Sequence, residues 1–154
     1  DKLSIAGRDL LNETLPKIFS GDIAPEKQNE EEATFARNIL REDEKIDWNS
    51  SARDVFNKVR ALDPTPGAFT YLEGNVLKIW STEEVKQDVE SNFDKVGTII
   101  KQDKKHIYIL CGNKTVLKVN ELQVSGKKRM PVVNFLSNKK DYVGTVLGEE
   151  NEKH

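Results

Sequence analysis

The side chains best equipped to do chemistry in this sequence are cations. Lys127, Lys128 and Arg129 stand together between Gly126 and Met130, Lys104 and Lys105 follow closely on Lys101, and Lys118 follows Lys114 by one helical turn's worth of chain. Ammonium and guanidinium groups clustered in this way attract phosphates, Lys as a point charge and Arg as a planar fork that can grip two oxygens. From Gly97 to Leu147 there are ten Lys or Arg and only three carboxylates, Asp103, Glu121 and Asp141, a net of +7. The residues before Gly97 carry −7 and those after Leu147 carry −2, so the overall −2 conceals a polarised molecule. Polarity of this kind points to a polyanionic partner. A basic loop is also an ordinary solvated surface, and charge by itself leaves both readings open. The 126–130 loop is the strongest element, since its flanks are apolar and no acid stands near it in sequence. Lys114 and Lys118 are the weakest, because residues four apart on a strand also describe its wet face.

Other chemistry is poorly supported. His106 and Cys111 lack the further His or Cys partners a metal needs, so no metal site is expected. Trp48 and Trp80 could stack on bases, yet beside apolar neighbours they read as core anchors. The single Cys111 cannot close an internal disulfide and suits a reducing, cytoplasmic setting. No apolar run approaches the roughly 20 residues a bilayer needs, so no membrane partner is expected. The opening Asp1-Lys2-Leu3-Ser4 has neither a signal's apolar core nor an initiating Met, as expected of a fragment.

The elements that must position these cations change three times along the chain. Leu3, Ala6, Leu10, Leu11, Leu15, Ile18 and Phe19 fall on one face of a helix over residues 1–21, with Gly21 as the stop and a kink or break expected at Pro16. Residues 22–45 are polar and read as an extended linker, with a turn of helix around Ala33 to Leu40. Asn49 or Ser50 is placed to cap a helix through Ala52, Val55, Phe56 and Val59 that must end before Pro64. Short strands then follow: Phe69–Leu72 and Val76–Trp80 as a hairpin, Thr98–Ile100, His106–Leu110, Thr115–Val119 and Glu121–Val124. A short helix over Pro131–Leu136 and a closing segment Tyr142–Leu147 complete the set. This is a mainly β, α+β pattern, a small OB-like open antiparallel barrel over 46–147 preceded by a helix and linker. The acidic tail, 148–154, reads as solvated.

Ile46-Asp47-Trp48, the run Val59-Arg60-Ala61-Leu62-Asp63-Pro64-Thr65-Pro66-Gly67-Ala68-Phe69, Leu77-Lys78-Ile79-Trp80 and Gly126-Lys127-Lys128-Arg129-Met130 resemble, in order, the C-terminal part of the methionyl-tRNA formyltransferase family. Glu13-Thr14-Leu15-Pro16-Lys17-Ile18 and Ala33-Thr34-Phe35-Ala36 fit the same family, so the resemblance covers all but the acidic tail. It implies that residues 1–21 are left over from an N-terminal catalytic domain, which binds 10-formyltetrahydrofolate and carries an Asn, His and Asp constellation. It also implies an OB-like domain that holds methionyl initiator tRNA. Neither His106 nor His154 lies in a context like the catalytic motif, so no catalytic residue and no bound cofactor is expected in this chain. The expected tRNA-binding residues are Lys127, Lys128, Arg129, Lys101, Lys104, Lys105, Lys114 and Lys118, with Arg37, Arg41 and Lys45 extending the track along the linker. A monomer in contact with its own catalytic domain is expected. Two other classes stay open: the same domain in a nucleotide-sugar formyltransferase or formyltetrahydrofolate dehydrogenase, and a barrel that binds an acidic protein.

Overall fold

The computed structural model describes residues 2–86 and 92–149 and divides into two compact units, residues 1–37 and 38–154. In the first unit, α1 (Lys2–Ser20) buries none of its residues, and Leu3 and Phe19 are 88% and 84% exposed. The break expected at Pro16 does not occur: the helix runs on to Ser20 and ends where Gly21 takes a φ of +79°. The proline ring sits in the last turn, where the ion pair of Lys17 with Glu13 at 2.8 Å spans it. The helical turn expected around Ala33–Leu40 is also displaced. One 3-10 turn forms at Glu30–Glu32, capped by the Asn29 side chain, and α2 forms at Arg41–Glu44.

The second unit is built around α3 (Ala52–Leu62) and six strands: β1 (Phe69–Leu72), β2 (Asn75–Val85), β3 (Ile99–Gln102), β4 (Ile107–Leu110), β5 (Val116–Val124) and β6 (Met130–Pro131). Ser51, rather than Asn49 or Ser50, caps α3, its hydroxyl accepting from the Asp54 N–H at 3.2 Å. Ala52, Val55, Val59 and Leu62 form the buried stripe of α3, which packs on β2 and β5. The sheet runs β1-β2-β5-β4-β3, all antiparallel, and curls into a half-barrel. Leu77, Ile79, Ile107, Ile109, Leu117, Val119 and Leu122 fill it, each contributing about 1.5–3 kcal/mol by leaving water.

Two expected strands prove to be one. Ile79 faces Leu122 and Thr82 faces Val119, with Ser81 opposite Glu121, so Trp80 on β2 and Asn120 on β5 are extra residues of paired bulges. The bulge flips the inward set from Leu117 and Val119 to Leu122, which is why alternation in the sequence looks broken at Asn120.

Tyr142–Leu147 contributes one bridge, Thr98 to Val146, instead of a strand, because Gly144 and Gly148 at φ +85° and +100° interrupt extended backbone. The segment nevertheless joins the open edges of the half-barrel: Ile99 donates to the Thr145 carbonyl and Gly148 to the Tyr71 carbonyl, both at 2.9 Å. Trp48 plugs this end. It is buried, and its indole donates to the Thr70 hydroxyl at 3.0 Å. α4 (Val132–Phe135) and the 3-10 turn Leu136–Asn138 cover the other end, with Phe135 stacked on Tyr142 at 4.8 Å. The tail beyond Glu149 lies outside the described residues.

Candidate nucleic-acid interface

The β5 edge gathers several of the cations. β4 pairs with β5 only from Val116 to Val119, and β6 takes over the same edge at Glu121 and Leu122. The β3–β4 turn, with Lys104 and Lys105, therefore leads into the end of β4 nearest Pro131, while the 126–129 loop leads into β6 at its other end, Met130. Asp103 fixes that turn, accepting from the Lys105 and His106 N–H groups at 2.7 and 2.8 Å and from the Tyr108 hydroxyl at 2.9 Å. Burial pushes its carboxyl up, but these donors together outweigh burial and hold the pKa at about 2. The turn thus presents two ammonium groups on a backbone pinned by an acid that is ionised at neutral pH.

A second group lies across the outer face of the sheet. Register places Lys101 beside Tyr108, Tyr108 beside Lys118, and Lys118 beside Glu83, one row over four strands. The Lys101 ammonium sits 5.3 Å from the Tyr108 ring centroid, and Lys118 pairs with Glu83 at 2.8 Å. The Lys118 hydrogen bond holds the Glu83 carboxyl below the usual carboxylate range, with Asn120 assisting. Lys114 is not brought together with these. It occupies the β4–β5 turn at the opposite end of β4, with Asn113 and itself at φ +57°.

Arg129 departs most from expectation. No acid stands near it in sequence, yet it donates to Glu121 Oε2 from Nε at 2.8 Å and Nη2 at 2.5 Å, and to Asp63 Oδ1 from Nη1 at 2.8 Å. Its guanidinium also lies 5.2 Å from the Trp80 ring centroid. Two carboxylates and a ring thus tie Arg129 to the body of the barrel. By contrast, Lys104, Lys105, Lys127 and Lys128 carry no side-chain partner among the described residues. The 126–129 turn is shaped by Gly126 at φ +74° and by the Lys127 carbonyl, which accepts from Gln123 Nε2 at 2.8 Å.

Of the linker residues, Arg41 packs 3.7 Å from the Phe69 centroid and pairs with Glu44, while Lys45 lies 5.2 Å from that of Tyr71. Arg37 ends the first unit. Of the two tryptophans, Trp48 is the core anchor expected, whereas Trp80 is half-buried and flanked by Lys78 and Arg129. Cys111 is fully buried and burial pushes its thiol up to about 12, and no cluster of three metal-ligating side chains occurs among the described residues. Tyr108 joins the row of Lys101 and Lys118 without being a cation, and the inward Ile107 and Ile109 on either side of it are the sequence signal that it faces out.

The class this architecture defines is a helix-flanked antiparallel half-barrel that leaves Lys104, Lys105, Lys127 and Lys128 without side-chain partners among the described residues. Residues 38–140 match the formyl transferase C-terminal domain, and the chain belongs to that family. Over all 154 residues it is 45% identical to a methionyl-tRNA formyltransferase of Bacillus velezensis, and over 149 residues 47% identical to one of Bacillus cereus strain AH187. It spans about half the length of these relatives, 48% and 46%. HypX from Aquifex aeolicus in complex with tetrahydrofolic acid shares the fold, at a TM-score of 0.57 and 18% identity over 84% of this chain and 22% of that one. A HypX variant aligns at a TM-score of 0.60 and 18% identity over 93% of this chain and 24% of that one.

Proposed function

We propose that this chain is the tRNA-holding portion of a methionyl-tRNA formyltransferase, which formylates the amino group of methionyl initiator tRNA with 10-formyltetrahydrofolate in the cytoplasm during translation initiation. The observation that carries the reading is a match over all 154 residues of this chain to about half the length of relatives of that name, in a domain whose Lys104, Lys105, Lys127 and Lys128 are unpaired among the described residues. Lys104, Lys105, Lys127 and Lys128 neutralise backbone phosphates, displacing condensed counterions. Lys101 and Lys118 continue the contact across the outer face with Tyr108 between them. Arg129 holds the loop in place rather than gripping RNA. Arg41 and Lys45 extend the phosphate contact within the second unit, and Arg37, in the first, is a further phosphate contact. The exposed apolar face of α1 rests on that half. Among the described residues the His106 ring meets Asp103 at 3.3 Å in a surface turn, and the formyl-transfer step is assigned to the other half of the parent protein.

The test is initiator tRNA binding by the 154-residue chain across a salt series, beside a Lys127→Ala, Lys128→Ala double variant. The slope of log K against log salt should flatten by about 1.4–1.8 in the variant, 0.7–0.9 for each phosphate that is no longer neutralised. Weaker affinity with an unchanged slope, or no binding at low salt, would overturn the assignment.

A further inference from the structure

A cleft of about 350 Å³ opens between the β1–β2 turn, the end of β5 and α4. Leu72, Val124, Met130 and Phe135 wall it, Asn134 stands in its lining, and Lys127 lies at its rim. We infer that this cleft receives one unpaired nucleobase of the bound RNA, an inference that rests on the tRNA reading above. The size is at the lower end of small-ligand sites, which run from about 300 to 1,000 Å³, and suits one base rather than a stack. The apolar walls match the faces of a base.

One amide of the lining is free to read an edge. Asn138 is used up, donating to the Tyr142 hydroxyl at 2.8 Å and accepting from the Lys140 N–H at 2.9 Å, and Asn75 donates to the Glu73 carbonyl at 3.2 Å. The Asn134 side chain has no partner among the described residues and is exposed. An amide offers a donor and an acceptor side by side, the complement of an adenine edge. Charge agrees: Lys127 is available to the phosphate, while the Glu73 carboxylate beside it is occupied by Lys140 at 2.5 and 2.8 Å. A perfect duplex keeps its bases stacked inside and cannot fill the cleft, so the feature selects looped or end nucleotides.

The experiment compares an adenosine-loop RNA hairpin with a blunt duplex of equal phosphate count, using the 154-residue chain, Asn134→Ala and a rim-plugging Ser137→Trp. The hairpin should bind more tightly. Both variants should weaken hairpin binding by on the order of 10-fold, as removal of one two-point base readout does, while leaving duplex binding and the salt slope unchanged. Equal affinity for the two RNAs, or equal weakening on both, would overturn the inference. Competition by free adenosine monophosphate at concentrations near the hairpin's own would also overturn it, reassigning the cleft to a mononucleotide. Failure of the tRNA reading looks different, since the unmodified chain would then bind neither RNA.

Discussion

Replacing Arg129 by alanine separates two roles that a basic loop residue can have. In the structure its guanidinium makes three charged hydrogen bonds to Glu121 and Asp63 and covers Trp80. These side chains are between 33% and 41% exposed, so each ion pair is discounted to about 0.2–1 kcal/mol, with about 0.5–1 kcal/mol more from the ring contact. The variant should be less stable by about 1–3 kcal/mol, which lowers the melting temperature of a domain of this size by about 3–12 °C. Because two carboxylates already offset the one cation, tRNA affinity should fall with little change in salt slope. Arg129→Lys keeps the charge without the fork and should recover less than half of that stability. Thermal melting followed by circular dichroism, paired with tRNA binding over a salt series, reads both quantities. A variant that melts like the parent but whose slope flattens by about 0.7–0.9 would refute the tie and make Arg129 a phosphate ligand.

Other perturbations follow from the same geometry. Gly112→Ala would drive a Cβ into the Asn49 carbonyl where Gly112 donates to Trp48 and Ser50 at 3.0 and 2.9 Å; a loss of about 3 kcal/mol or more in urea unfolding is expected, and a loss under about 1 kcal/mol would mean the backbone yields there. Asp103 has a folded pKa of about 2 against 3.8, so the stability it adds is present above about pH 4 and is lost as pH falls toward 2. Linkage alone gives about 2 kcal/mol, reduced to about 1 kcal/mol because the carboxyl is 38% exposed, and Asp103→Asn should flatten the acid limb of the stability curve by that amount. Cys111, buried and with its thiol pushed up to about 12, should resist a thiol reagent at neutral pH until the barrel is unfolded; rapid labelling of the native chain would contradict its burial.

Most of the barrel was legible because alternation in β4 and the helical stripe of α3 are local signals that burial obeys. The Glu73-Gly74 turn is likewise local, with both residues at positive φ as a two-residue hairpin requires. The bulge at Trp80 and Asn120 was not legible, since it exists only when two strands are set in register. Nor was the partnership of Arg129 with Asp63, 66 residues apart, which only the folded chain brings together. The cations themselves were plain in the sequence. Which of them are spent on carboxylates and which stay available depends on strand pairing, and so Arg129 could not be told from Lys127 and Lys128. The cleft beside Asn134 had no signal at all, being assembled from the β1–β2 turn, β5 and α4.

Whether this half-barrel holds RNA through its phosphates is read from the affinity of the unmodified chain for initiator tRNA as a function of salt, beside polyglutamate of the same charge. If Lys104, Lys105, Lys127 and Lys128 each meet a phosphate, log K should fall against log salt with a slope of about −3 to −4, and polyglutamate should bind far more weakly. A slope near zero, or equal affinity for the two polyanions, would contradict the account.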